Sequence, residues 1–362
     1  MCRPRAIPNR ISSGTRIPEL DGARGMAALA VVVAHYFGEV EHGLPGLTIG
    51  WMGVNLFFVL SGFLIGSIIL ERKDCPNFFP VFYIRRTFRI FPVYFATIAL
   101  TLGFAWLHGT TSWTGEPLPA LSYLTFTQNF VMALRGDYGT PWLLPTWTLA
   151  VEEQFYLAIP LIITLLPTRW LLPAILGGIT LGCAARALLY WTGDEIAGQV
   201  LLFSRGDILL SGVLAAYVHQ RYAGNEIILR LIPLAAVAGV LLAVVQFRTT
   251  GGNLLFVISP LLMAMLFAAY VLLAARGWTT LRFFRLRFWQ MLGTISYGLY
   301  LIHQPVAGVM HGLILDARPD IATAPQVIVT FAALFAAIGL AWASWTLMEA
   351  PLLRMGRTWH YK

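Results

Sequence analysis

The 362-residue sequence predicts an all-α, polytopic integral membrane protein with about ten transmembrane helices and both termini in the cytoplasm. Three observations lead there. Hydrophobic residues make up 58% of the chain and charged residues 12%, against about 25% charged in a soluble domain. Apolar stretches near the ~20 residues needed to cross a bilayer core recur along the whole chain. Lysine and arginine are dense in every second connecting segment, as positive-inside orientation requires.

Ten spans follow from that pattern, at roughly 24–40, 52–70, 90–107, 146–166, 170–191, 200–219, 229–246, 255–275, 292–314 and 325–348. The side opposite the N-terminus then carries only Arg135, Arg248 and Arg318. Arg24, Arg186 and Arg205 fall within spans, and the remaining lysines and arginines lie on the N-terminal side. The net charge of +8 is thereby placed in cytoplasmic loops, which leaves no reason to expect a nucleic-acid partner.

Met1–Leu20 is polar and basic, so it reads as a cytoplasmic segment. Met26–Phe37 is short enough to imitate a signal h-region. It contains His35 and lacks a small-x-small cleavage site, which favours a retained first helix. Residues 21–352 form one membrane domain, and 353–362 form a short cytoplasmic tail. The segment 108–145 holds or adjoins Trp106, Trp113, Tyr123, Trp142 and Trp147, the composition of an interfacial aromatic belt. The scattered Cys2, Cys75 and Cys183 suggest neither a disulfide framework nor a metal site. No internal repeat is visible, which weighs against transporter folds built from inverted halves.

Ionisable residues at membrane depth are costly and mark function by default. Arg24 and His35 are eleven residues apart. At about 100° and 1.5 Å per residue they share one helix face, roughly 16 Å apart. In the second span Asn55 and Ser61 interrupt an apolar helix, with Ser61 and Gly62 suited to close packing. The loop after it holds Arg85, Arg86 and Arg89. These either anchor the cytoplasmic face or form a phosphate-binding cluster, since guanidinium forks match phosphate oxygens.

The fourth span opens with Glu152 and Glu153. Two adjacent acids cannot both face lipid, so at least one faces a polar interior. Arg205 and Asp207 in the sixth span either neutralise each other or belong to that interior, and Arg186 is close enough to join them. The ninth span carries His303 with Tyr297 and Tyr300, and the last span ends at Glu349. Together these residues outline a tunnel. Arg24, Arg85, Arg86, Arg89 and Glu349 lie toward the cytoplasm. His35, Glu152, Glu153, Arg205, Asp207 and His303 lie in the middle or outer half.

In this order the motifs resemble the membrane acyltransferase-3 family, bacterial O-acyltransferases that modify cell-surface sugars. The resemblance runs from about Ile17 to Leu352. It rests on Arg24-x10-His35, Gly53-Val-Asn-Leu-Phe-Phe-Val-Leu-Ser-Gly-Phe-Leu64, Arg85-Arg-x-x-Arg-Ile-x-Pro92 and Trp147-x-Leu-x-Val-Glu-Glu-Gln-Phe-Tyr156. It also rests on Arg205-x-Asp-x-Leu-x-x-Gly212, Ile295-Ser-Tyr-Gly-Leu-Tyr-Leu-Ile-His303 and Glu349-x-Pro351. Asn55 departs from the aspartate usual in the family, and the SGNH-type hydrolase domain fused to some members is absent from this sequence.

The resemblance implies transfer of an acyl group, commonly acetyl, from cytoplasmic acyl-CoA to a hydroxyl of a carbohydrate or glycolipid, in the bacterial inner membrane. Acceptors as different as exopolysaccharide, lipopolysaccharide O-antigen, a glycolipid and a small molecule stay open. His35 is the expected base, with Glu152 or Glu153 fixing its tautomer. His303 is a second candidate for the chemistry, and a covalent acyl-histidine path is the variant. Arg205, Asp207, Tyr300 and Asn55 are expected around the substrate or the oxyanion, and Arg24, Arg85, Arg86 and Arg89 on the donor phosphates. No metal is expected. The competing expectation is a proton-coupled transporter, which needs buried ionisable residues but no phosphate cluster.

Overall fold

The computed structural model describes residues 17–109, 111, 113–222, 234, 237, 253–277 and 279–362. Helix α1, Pro18–Val33, starts earlier than expected. Pro18 occupies its first turn with Glu19 and Asp21, which suits proline's fixed φ and the positive end of the helix dipole. A π-helical turn, Ala34–Gly38, continues it. Then come α2 (Met52–Arg72), α3 (Phe78–His108), and the short α4 (Ala120–Leu124) and α5 (Gln128–Arg135). Next are α6 (Thr146–Leu165), α7 (Thr168–Trp191), α8 (Glu195–Val200) and α9 (Leu202–Arg221). The chain continues with α10 (Asn253–Ala275), α11 (Arg287–Leu315) and α12 (Ala324–Ser344). A second π turn, Trp345–Glu349, leads into α13 (Ala350–Arg357).

Among the described residues there is no strand, and eight helices are long and apolar enough to cross a membrane. Ten spans are not established by this count. The first span, α1 with its π turn, is not one of the eight, and the expected span 229–246 lies outside the described residues. Arg85, Arg86 and Arg89 also require correction: they are not in a loop but in α3, a 31-residue helix. At about 1.5 Å per residue, α3 exceeds the ~30 Å core, so its arginine-bearing first turns reach beyond the lipid.

Two close helix crossings position the site, and both depend on glycine, as small-residue membrane interfaces do. Gly25 of α1 lies against the backbone of Trp289 and Gly293 in α11, and Gly293 lies against Asp21. This crossing brings the end of α1 to His303. Gly62 of α2 and Gly212 of α9 face each other, each against the other helix's backbone, so the packing reading of Gly62 holds. Ser61 instead turns its hydroxyl to Glu152 of α6 (2.8 Å).

The outer aromatic belt also needs correction. Trp113, Tyr123 and Trp142 are buried, whereas Trp106 is exposed. Trp142 packs against Gly308 and Trp113 against Gly312 of α11, and the Trp113 Nε1–H donates to Asp316 (3.0 Å). These rings hold the helix that carries His303. Cys75 is disulfide-bonded, which the scattered spacing gave no reason to expect, and Cys183 is free.

Candidate active site

His35 sits in the π turn that ends the first helix. Such widened turns recur at functional sites, and here the turn carries the ring to α11. His35 Nδ1 lies 2.7 Å from Nε2 of His303, with the ring planes 5° apart. His303 is fully buried, and its Nδ1 lies 3.2 Å from the Leu299 carbonyl. The Tyr36 hydroxyl donates to the His303 carbonyl (2.5 Å).

These contacts assign the protons. A carbonyl cannot donate, so the hydrogen on His303 is at Nδ1. The Nε2 of a neutral His303 then has only a lone pair and accepts from His35 Nδ1–H. That leaves His35 Nε2 as the bare, basic nitrogen, 3.5 Å from Glu39 Oε2. The acid beside His35 is thus Glu39, which sequence reasoning missed. It stands one turn beyond His35 in a segment read as the end of a span.

Glu152 does not reach His35. Its carboxylate accepts from Ser61 Oγ (2.8 Å) and the Tyr156 hydroxyl (2.9 Å). Ser61 is thereby a tether for an acid, not only a packing residue. Glu153, next to it, has a buried Oε1 without a hydrogen-bond partner. The expected orientation of His35 by either glutamate is replaced by the His303 contact.

The Arg205–Asp207 pair does not form either. Asp207 is fully buried and takes a two-pronged ion pair from Arg186 (2.9 and 2.7 Å). Arg186 completes its bonds on the carbonyls of Ser204 (2.6 Å) and Val257 (2.8 Å). Residues two apart on a helix point to different faces, so Arg205 turns away from Asp207 and lies over the Trp147 ring. Asp207 is thus bound to Arg186 and does not line the cavities that hold the other candidate residues.

Three cavities run through these residues. The first, about 240 Å³, is lined by Arg85, Arg86, Arg89, Arg357 and Tyr361. The second is narrow, about 80 Å³, and is lined by Arg24, Arg86, Arg89, Ser61, Glu152 and Tyr300, among others. The third, about 470 Å³, is lined by His35, Glu39, Asn55, Trp147, Arg205 and Tyr300, among others. Arg86 and Arg89 border the first two, and Val54 and Tyr300 border the last two. The cavities therefore follow one another from the arginines to His35.

Arg85 is partly engaged at the mouth: its Nε and Nη2 donate to the Trp359 carbonyl (2.9 and 2.6 Å). Arg86 lies over the Tyr156 ring. Arg24 borders the narrow middle cavity and His35 the wide third one, so the two residues of the shared helix face line successive stretches of the path. The hydroxyl of Tyr300 bonds Thr148 Oγ1 (3.1 Å) and the Pro145 carbonyl (3.3 Å). Asn55 is 1% exposed, and its Nδ2 has no hydrogen-bond partner. A buried unpaired donor is costly, so this one is available to a bound group.

A bundle of membrane-length helices around a charged internal channel defines a multi-pass membrane protein with an enzyme-like interior. The profile of an acyltransferase domain, acyltransferase-3, matches residues 17–346. The chain belongs to this acyltransferase family.

Its relatives include the peptidoglycan O-acetyltransferase OatA of Listeria monocytogenes, 26% identical over 96% of this chain and 57% of its own length. The putative peptidoglycan O-acetyltransferase YrhL of Bacillus subtilis is 29% identical over 80% of this chain and 48% of its own. The O-acetyltransferase OatA of Staphylococcus aureus is 24% identical over 80% and 50%. The chain spans about half the length of these relatives. No solved structure matches it.

Proposed function

We propose that the protein moves an acetyl group from acetyl-CoA to a hydroxyl of a cell-surface polysaccharide, across the bacterial cytoplasmic membrane. The observation that carries this reading is the series of cavities between the arginine cluster and His35. The arginine mouth faces the cytoplasm and takes the phosphates of the donor, and Arg24 stands deeper along the same path. The narrow second cavity suits a slim thioester arm. The wide third cavity receives the acceptor from the other side. The relatives named for peptidoglycan acetylation favour a wall polysaccharide over exopolysaccharide or lipopolysaccharide.

In this reading His35 Nε2 removes the proton of the acceptor hydroxyl as its oxygen attacks the thioester carbonyl. The new C–O bond and the carbonyl oxygen's negative charge form together. Asn55 Nδ2–H donates to that oxyanion. An aspartate at this position would lack the donor. Collapse breaks the C–S bond, and the thiolate takes the proton held by His35. Acetyl ester and free coenzyme A leave with atoms and charge balanced. His303 keeps Nε2 of His35 free, and Glu39 is placed to stabilise the imidazolium. Glu152 orders the donor path through Ser61 and Tyr156 and takes no proton from the acceptor.

Purified protein, given acetyl-CoA and muropeptide fragments, should release one thiol per acetyl ester formed. Mass spectrometry of the fragments reads the ester. A proton-coupled transporter would release no thiol, and that result would remove this reading.

A further inference from the structure

We infer that the acceptor is an acidic sugar whose carboxylate is held by Arg205. This rests on the transfer reading above and deepens it by naming the acceptor's charge. Arg186 and Arg205 both line the third cavity, but their charges are met differently. Arg186 is matched by Asp207, both guanidinium branches against both carboxylate oxygens. Arg205 is 7% exposed and has no carboxylate partner among the described residues. Its Nε donates to the Gln199 carbonyl (2.8 Å), and its Nη1 is buried with no partner. The ring of Trp147 covers it at 5.8 Å, which offsets part of its charge but gives its N–H groups nothing to bond.

A guanidinium removed from water with an unused donor is costly unless an anion completes it. The cavity is wide enough for a small-molecule ligand, which typically needs several hundred Å³. Trp51, Trp147 and Tyr138 on its wall offer flat faces for the C–H face of a pyranose. The charge count selects the anion. Arg186 is already neutralised and the acid on the wall, Glu39, stands beside His35. Arg205 is therefore the arginine on this wall with no carboxylate bonded to it among the described residues, and one carboxylate matches its single positive charge. A phosphate monoester carries about −1.5 to −2 and calls for a second cation. A sugar carboxylate on Arg205 also fixes which ring hydroxyl turns toward His35 in the same cavity.

The test uses the full chain purified in detergent, acetyl-CoA as donor, and two matched acceptor pairs. Methyl glucoside is compared with methyl glucuronide, and N-acetylglucosamine with N-acetylmuramic acid. The readouts are acceptor-dependent thiol release and the mass of the acetylated sugar. The acidic member of at least one pair should be favoured by about tenfold to a hundredfold in kcat/KM, the scale of a charge-assisted hydrogen bond. Arg205→Gln should bring that ratio close to one, and Arg205→Lys should restore part of the preference. Equal use of both members by the wild type, or a ratio unchanged in Arg205→Gln, overturns the inference. So does use of neither sugar while His35-dependent thiol release persists. Complete absence of thiol release instead overturns the transfer reading beneath it.

Discussion

Nδ1 of His35 and Nε2 of His303 lie 2.7 Å apart, although 268 residues separate them in the chain. With His303 Nδ1 directed at the Leu299 carbonyl, a single hydrogen-bond relay sets the tautomer of the proposed base. On the proposed mechanism His303 acts through His35, as a positioning residue. His303→Leu should lower kcat about 10- to 100-fold at unchanged KM for acetyl-CoA. His303→Gln, whose amide oxygen can accept the His35 proton, should recover part of that loss. It should also leave the pH profile of kcat closer to wild type than His303→Leu does. Steady-state thiol release across pH reads both effects, and a loss confined to KM would contradict the relay.

The Arg186–Asp207 pair is the buried ion pair of α7 and α9. Removing one partner strands the other charge, at a cost of about 3–5 kcal/mol. Asp207→Asn should therefore lower the thermal unfolding midpoint in detergent sharply. The double variant Arg186→Met with Asp207→Leu should recover most of the stability. If Asp207→Asn unfolds at the wild-type temperature while losing acetyl transfer, Asp207 serves the chemistry rather than the fold.

At the α2–α9 crossing, a β-carbon on Gly212 would meet the Val59 carbonyl, the Phe63 nitrogen and Gly62. Backbone cannot yield as a side chain can. Gly212→Ala is expected to cost about 1–3 kcal/mol, the range for overpacking. Gly177→Ala, with open space around it, should cost nothing of that kind. Parallel unfolding curves of the two variants check the difference.

Outside the membrane, His42 and Asp320 clasp two loops that join α1 to α2 and α11 to α12. Asp320 accepts from the His42 backbone N–H (3.0 Å) and lies 2.7 Å from its ring. The hydrogen bond to Asp320, and then its charge, raise the pKa of His42 above 6.5. Burial works to raise Asp320, but the bonds from His42 and Ile321 outweigh it and hold the carboxyl below 3.8. The sign differs for the two partners. His42 contributes fully below 6.5 and loses its contribution as pH rises through its raised value. Asp320 contributes fully above 3.8 and loses its contribution as pH falls through its lowered value. The clasp is complete between those limits. Amide protection in the 39–51 loop, taken relative to the intrinsic exchange rate at each pH, should be highest there and fall on either side, and His42→Gln should flatten the alkaline arm.

The helices were legible because membrane-length apolar runs announce themselves, and described helices stand at nine of the ten expected positions. The arginine segment misled because Arg85, Arg86 and Arg89 crowd charge ahead of the apolar run and so read as a loop. A helix whose first turns project past the lipid accepts them. Pairing was harder. Arg205 and Asp207 read either as a pair or as part of a polar interior that Arg186 could join, but helix geometry turns residues two apart to different sides, and Asp207 meets Arg186 of α7. Glu152 was assigned to the histidine end because it opens its span. Its depth is set by Ser61 on another helix, which no single-sequence pattern encodes. His35, His303 and Arg24 stood out as polar groups at depth and the α3 arginines as a charged cluster on the cytoplasmic side, but which of them meet follows only from the glycine crossings.

The most direct test of the account is the rate of acetyl transfer by His35→Ala, measured as thiol release and acetylated acceptor in the same reaction. A positioned general base contributes about 10²- to 10⁴-fold. The variant should fall by at least the lower figure while it binds acetyl-CoA with wild-type affinity. Transfer by His35→Ala at the wild-type rate would contradict the account.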